Sequence, residues 1–141
     1  MISSQKSIYL LAEKRGFFDV TSQVSSQMSS LHSCKSGILH LFIKHTSASL
    51  AITENTDPSV ALDLESHFNI FVPEDAPYYT HTYEGKDDMP AHIKSALTNS
   101  QISLSIKNGE LLIGTWQGLY LFEHRLNPQK RTIIHHFLGE P

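Results

Sequence analysis

The chain has 141 residues, 40% of them apolar and 18% charged, with a formal net charge of −3. These values describe one globular domain, residues 1–141, and exclude the basic field that a general nucleic-acid binder needs. A single cysteine, Cys34, excludes an internal disulfide and a Cys-rich zinc site, and fits a reducing cytoplasm. No apolar run approaches the roughly 18 residues of a membrane helix, and the Ile8–Ala12 stretch reads as a strand, not a signal peptide.

In chain order, residues 4–13 alternate as a first strand that Gly16 ends. Thr21 is an expected N-cap for a helix carrying Val24, Met28 and Leu31. Residues 33–37 are turn-like, and 38–46 form the clearest strand, with Leu39, Leu41, Ile43 and His45 on one face. Residues 50–53 are a short strand, so 46–49 are a corner or hairpin. Asp57-Pro58 opens a helix with Asp at the N-cap and Pro at N1, whose expected buried face is Val60, Ala61, Leu64, His67 and Phe68.

Residues 73–90 are polar and turn-rich. Asp88-Met89-Pro90 opens a second helix carrying His92, with Asn99 as the left-handed residue that ends it. Asn108-Gly109 predicts a hairpin between strands at 101–107 and 110–114. Trp116, Tyr120, Phe122 and His124 share one face of the next strand, with Trp116 read as core, and 131–138 is the last strand. The fold class is α+β: an antiparallel β-sandwich with two or three inserted helices.

Nine histidines are the compositional outlier. His81, His92 and His124 could hold a zinc ion, since three imidazoles with one open position make a catalytic site. His45 ends an apolar strand face and is a fourth candidate. Glu84, Asp87 and Asp88 offer the oxygen ligands that Mg²⁺ prefers. Thr46, Ser47 and Ser49 present hydroxyls, and Lys94 and Arg125 charge-assisted donors, for a phosphate. The plainer roles are a solvated loop with Asp88 capping a helix, hydroxyls closing local turns, and exposed cations. His32, His40, His67, His135 and His136 are read as structural or exposed.

The stretches HTSASL (45–50), ENTDP (54–58), HTYEGKDDMPAHIKS (81–95), GTWQG (114–118) and EHR (123–125) together resemble the YjbQ family. The resemblance runs from about residue 4 to the end. It implies an antiparallel β-sandwich with helices, a homotrimer, and a thiamine phosphate synthase activity. That reaction joins a hydroxymethylpyrimidine pyrophosphate to a thiazole phosphate and releases pyrophosphate. His45, His81, His92 and His124 match the family's histidines, and a bound metal is implied. One departure is Asn99, where the family commonly has Gly.

The expected function is therefore a cytoplasmic, metal-dependent enzyme of phosphorylated small molecules, using zinc or magnesium. His45, Asp88, His92 and His124 are the expected catalytic residues. His81, His92 and His124 are the expected metal ligands. Thr46, Ser47, Ser49, Lys94 and Arg125 are the expected phosphate contacts. Two other classes fit the same residues: a metal-dependent phosphohydrolase, and a non-catalytic trimer binding an anion or metabolite. Nucleic-acid and membrane partners are not expected.

Overall fold

The computed structural model describes residues 1–28 and 33–141. Eight strands and three helices are present among the described residues, as β1 (Ile2–Ala12), β2 (Gly16–Asp19), α1 (Thr21–Ser26), β3 (Ser36–Ile43), β4 (Ala48–Glu54), α2 (Pro58–Phe71), α3 (Asp88–Leu97), β5 (Gln101–Lys107), β6 (Glu110–Leu111), β7 (Gln117–Glu123) and β8 (Gln129–Glu140). They form two antiparallel sheets, one of five strands in the order β1-β8-β3-β5-β6 and one of three in the order β2-β7-β4. Among the described residues, no helix is long and apolar enough to cross a membrane.

The strand period of two builds the core directly. Ile8, Leu10 and Ala12 of β1, Leu39, Leu41 and Ile43 of β3, and Ile133 and Phe137 of β8 point inward. There they meet Ala48, Leu50, Leu119 and Leu121 of the smaller sheet. Each large buried aliphatic or aromatic side chain contributes about 1.5–3 kcal/mol relative to exposure. Residues 44–47 carry the chain from one sheet to the other, a corner and not a hairpin. Asn108 (φ 51°) and Gly109 (φ 78°) both take the left-handed region, as a type I′ hairpin turn between β5 and β6 requires.

Several local expectations shift. Gly16 starts β2 instead of merely ending β1, at φ +139°. Thr21 is the first helical residue and not the cap; Asp19 accepts hydrogen bonds from its amide and hydroxyl. Leu31 and His32 lie outside the described residues. The strand expected at 110–114 covers only Glu110–Leu111.

Asp57 caps α2 as the sequence implies, accepting from the Ser59 amide at 2.9 Å. No residue of α2 is fully buried, however. Phe68 reaches Phe122 edge-on at 5.1 Å, while His67 is exposed. Asn99 does not adopt a left-handed conformation; α3 ends in extended Thr98, and the Asn99 carbonyl accepts from the Leu50 amide. Trp116 is 61% exposed and lies just before β7, so it is not core.

Candidate metal centre

The loop at 73–87 returns to the body of the protein where α3 begins. Asp88 sits in the first turn of α3, where the helix dipole favours a carboxylate. His92 lies four residues on, and so on the same face. His81 comes back over this face from the loop.

Four groups meet here. One ligand atom each from His81, Glu84, Asp88 and His92 lies within 4.8 Å of all the others. The Asp88 Oδ2 atom is central, 2.6 Å from His81 Nε2 and 3.1 Å from His92 Nε2. Glu84 Oε2 is 3.8 Å from His81 Nε2. The Asp88 side chain is 2% exposed, but those of His81 and Glu84 are 43% and 64% exposed, so the cluster opens to solvent on one side.

The partners behind the cluster fix its chemistry. His92 Nδ1 is 2.8 Å from the Thr46 carbonyl. A carbonyl only accepts, so Nδ1 carries the hydrogen, and in neutral His92 the lone pair is on Nε2. That lone pair faces a carboxylate oxygen, and two acceptors at 3.1 Å need a cation between them: a proton or a metal ion. A histidine whose other nitrogen is held by a carbonyl is the usual arrangement of a metal ligand.

Arg125 anchors the carboxylates. Its Nη1 donates to Asp88 Oδ1 at 2.6 Å, its Nε to Asp87 Oδ2 at 2.9 Å, and its Nη2 to the Glu84 carbonyl at 2.8 Å. Burial works to raise the Asp88 pKa. The hydrogen bond from His81 and the charges of His92 and Arg125 outweigh it, and hold the carboxyl below its ordinary value. Asp87 is likewise held low, because the Leu126 amide and Arg125 outweigh its burial. Arg125 is placed by a buried pair. Arg131 donates through Nε to Glu123 Oε1 at 2.7 Å, and Glu123 Oε2 accepts from the backbone amides of His124 and Arg125.

His124 is not part of this cluster. It is buried, with Nε2 2.9 Å from the Ser49 hydroxyl and its ring edge-on to Phe122. The protons can be assigned. Thr98 Oγ1 lies 2.6 Å from the Lys94 carbonyl and must donate to it. Ser49 therefore donates to Thr98 across 2.6 Å, and His124 donates to Ser49 through Nε2. Burial, then the charges of Lys94 and Arg131, push the His124 pKa down to about 3, so it stays neutral. The expected set of three histidines is thus corrected: His81 and His92 converge with two carboxylates, because Asp88 and His92 share a helix face and His124 faces inward from β7's end.

The expected phosphate contacts are also redistributed. Arg125 spends its nitrogens on Asp87, Asp88 and the Glu84 carbonyl. Lys94 is buried, donating to Asn69 Oδ1 at 2.7 Å; burial, then the Arg15 charge, lowers its pKa to about 8. Ser49 is closed off by His124 and Thr98. His45 Nε2 accepts from the Thr132 amide at 2.8 Å, so one of its nitrogens holds the corner together. Thr46 supplies its carbonyl to His92 and keeps an exposed side chain. Ser47 supplies its carbonyl to Arg131 and the His124 amide. A cavity of about 260 Å³ adjoins the cluster, lined by His81, Thr82, Gly85, Lys86, Tyr79 and Met89 among others. Lys86 is the cation beside His81 that sequence reasoning passed over; an exposed lysine in a polar loop carries no signal of its own.

A model of the UPF0047 protein YjbQ-like family matches residues 6–140. The chain belongs to this family. The UPF0047 protein YjbQ of Salmonella typhimurium is 45% identical over 136 residues, covering 96% of this chain and 98% of that one. The UPF0047 protein sll1880 of Synechocystis is 53% identical over 106 residues, 75% of this chain and 72% of its own. Among solved structures, a conserved hypothetical protein from Thermus thermophilus matches with a TM-score of 0.80 at 30% identity, over 92% of this chain and 97% of that one. A YbjQ-like protein of Sulfolobus solfataricus superposes at a TM-score of 0.86 with 23% identity, over 99% of both chains, and shares the fold.

Proposed function

We propose that this member of the YjbQ-like family is a divalent-metal-dependent enzyme of phosphorylated small molecules, working at His81, Glu84, Asp88 and His92. The observation that carries this reading is the convergence of the four groups while the Thr46 carbonyl holds His92 Nδ1. Two imidazoles favour zinc or a similar borderline cation over Mg²⁺, which prefers an all-oxygen shell. A cation bound there would offset the negative charge of a phosphate group.

The chain's own residues supply the rest. Asp88, locked by Arg125, presents one oxygen in a fixed direction. The exposed rims of His81 and Glu84 leave room for an anionic substrate, and Lys86 and Thr82 line the neighbouring cavity. Departure of pyrophosphate builds negative charge that cationic groups stabilise. This supports the condensation that the family resemblance implies, of a pyrimidine pyrophosphate with a thiazole phosphate. The same solvent access favours a second reading, hydrolysis of a phosphoester by water. Homotrimeric assembly and a cytoplasmic setting belong to the same proposal.

The test is turnover by tag-free protein supplied with Zn²⁺ or Mg²⁺. Pyrophosphate release that needs both substrates supports the synthase. Phosphate release from a single phosphoester supports the hydrolase. Either activity should vanish in a folded Asp88→Asn variant. Saturable binding of substrate without any turnover would make the protein a binding module and overturn the enzymatic reading.

A further inference from the structure

On the outward face of the five-stranded sheet, a polar row crosses the central β8–β3 pair between two pairs of apolar residues. Antiparallel register sets Gln5 opposite His136, His136 opposite His40, and His40 opposite Ser103. The inward side of the same strands is fixed by buried Leu39, Leu41, His135 and Phe137. His40 and His136 alternate with these and therefore point outward together. Directly opposed residues on antiparallel strands have Cβ atoms about 4.5–5.5 Å apart, within reach of two imidazoles sharing one ion. The rows on either side are Ile38 with Leu138 and Phe42 with Ile134, so the two rings stand half-buried between apolar walls.

Both histidines line an open cavity of about 740 Å³, with Ile38, Leu138, Lys35 and Lys107 also on its walls. His40 Nδ1 lies 3.0 Å from the Ser103 hydroxyl, which orients the ring and leaves Nε2 available. No hydrogen bond among the described residues engages the His136 ring. As a plain surface pair the two gain little: protonating both sets like charges directly opposite one another, which is destabilising. Sharing a cation is the arrangement that turns this juxtaposition to advantage.

We propose that His40 and His136 form a second divalent-cation site, for a borderline ion such as Zn²⁺, Cu²⁺ or Ni²⁺ that imidazole ligands suit. Each histidine gives one nitrogen, and solvent completes the shell. The site shares no residue with the cluster on α3 and does not depend on it.

The probes are Zn²⁺ alone and Cu²⁺ alone, added to tag-free, metal-stripped protein. Equilibrium dialysis should show one fewer Zn²⁺ equivalent in His136→Thr and in His40→Thr than in the wild type, with the equivalent that depends on His92 unchanged. Threonine suits an exposed strand position, and far-UV circular dichroism checks the fold. Independently, substoichiometric Cu²⁺ should broaden the ring resonances of His40 and His136 together in the wild-type protein. Unchanged Zn²⁺ stoichiometry in both folded variants overturns the proposal. So does wild-type Cu²⁺ broadening that spares these two rings.

Discussion

Arg125 and Asp88 form a one-sided lock: Arg125 Nη1 holds Asp88 Oδ1 at 2.6 Å, and only Oδ2 is left to face His81 and His92. The lock turns a carboxylate with two equivalent oxygens into a ligand with one direction. Partners of this kind commonly contribute 10–100-fold to metal affinity. Arg125→Lys keeps the charge but loses the fork that spans Asp87 and Asp88. Its zinc affinity, measured by chelator competition, should fall about 10- to 100-fold while the thermal midpoint moves little.

The next layer back is the buried Glu123–Arg131 pair. Removing one partner of a buried pair costs about 3–5 kcal/mol, because it strands the other charge. Glu123→Gln should therefore lower unfolding free energy by about that much. It should also weaken metal binding, since the Gln amide offers one acceptor oxygen where the carboxylate gave two, and cannot serve both Arg131 and the amides of His124 and Arg125. A denaturation series with parallel metal titrations separates the two effects. Full stability in Glu123→Gln would show that the pair is ornamental.

Acid should begin to destabilise the protein above the range in which its carboxylates titrate. The His124 pKa is about 3 in the folded chain, against 6.5 for the free side chain, so the unfolded state binds the extra proton between these values. Stability then falls as pH drops from about 6.5 toward 3, by on the order of 4 kcal/mol from this residue. His45 and His135, also lowered chiefly by burial, act in the same direction. Denaturant midpoints across this range should decline, and His124→Asn should flatten the decline. An unchanged slope in that variant would contradict the assignment.

Lys94 gives the opposite end of the pH scale. Its pKa falls from 10.5 to about 8 on folding, so the unfolded state holds more protons between those values. Stability should rise as pH climbs from about 8 toward 10.5. Lys94→Met should remove this rise, and denaturant midpoints at pH 8 and 10 are the check.

Much of this architecture is written in local patterns. Alternation in β3 places Leu39, Leu41 and Ile43 inward, Asp57-Pro58 starts α2, and Asn108-Gly109 turns a hairpin, each through chemistry contained in a few neighbouring residues. The pairing of Asp88 with His92 was equally legible, since four residues along a helix share a face. His81 and Glu84 were visible as candidates in the same loop. The separation of His124 from His81 and His92 is not legible locally, because its inward direction, onto Ser49 of β4, is a tertiary fact. Arg125 and Lys94 read as free cations because nothing local reveals Asp87 across a 38-residue separation or Asn69 across 25. Trp116 read as core by its type alone, while its place before β7 leaves it in solvent.

The most direct measurement is metal content of tag-free protein after dialysis against a weak chelator, for the wild type, His92→Ala and His124→Asn. The four-ligand centre requires near-stoichiometric divalent metal in the wild type and in folded His124→Asn, and its loss in His92→Ala. Metal content in His92→Ala equal to that of the wild type, or its loss in folded His124→Asn, would contradict a centre built on His81, Glu84, Asp88 and His92.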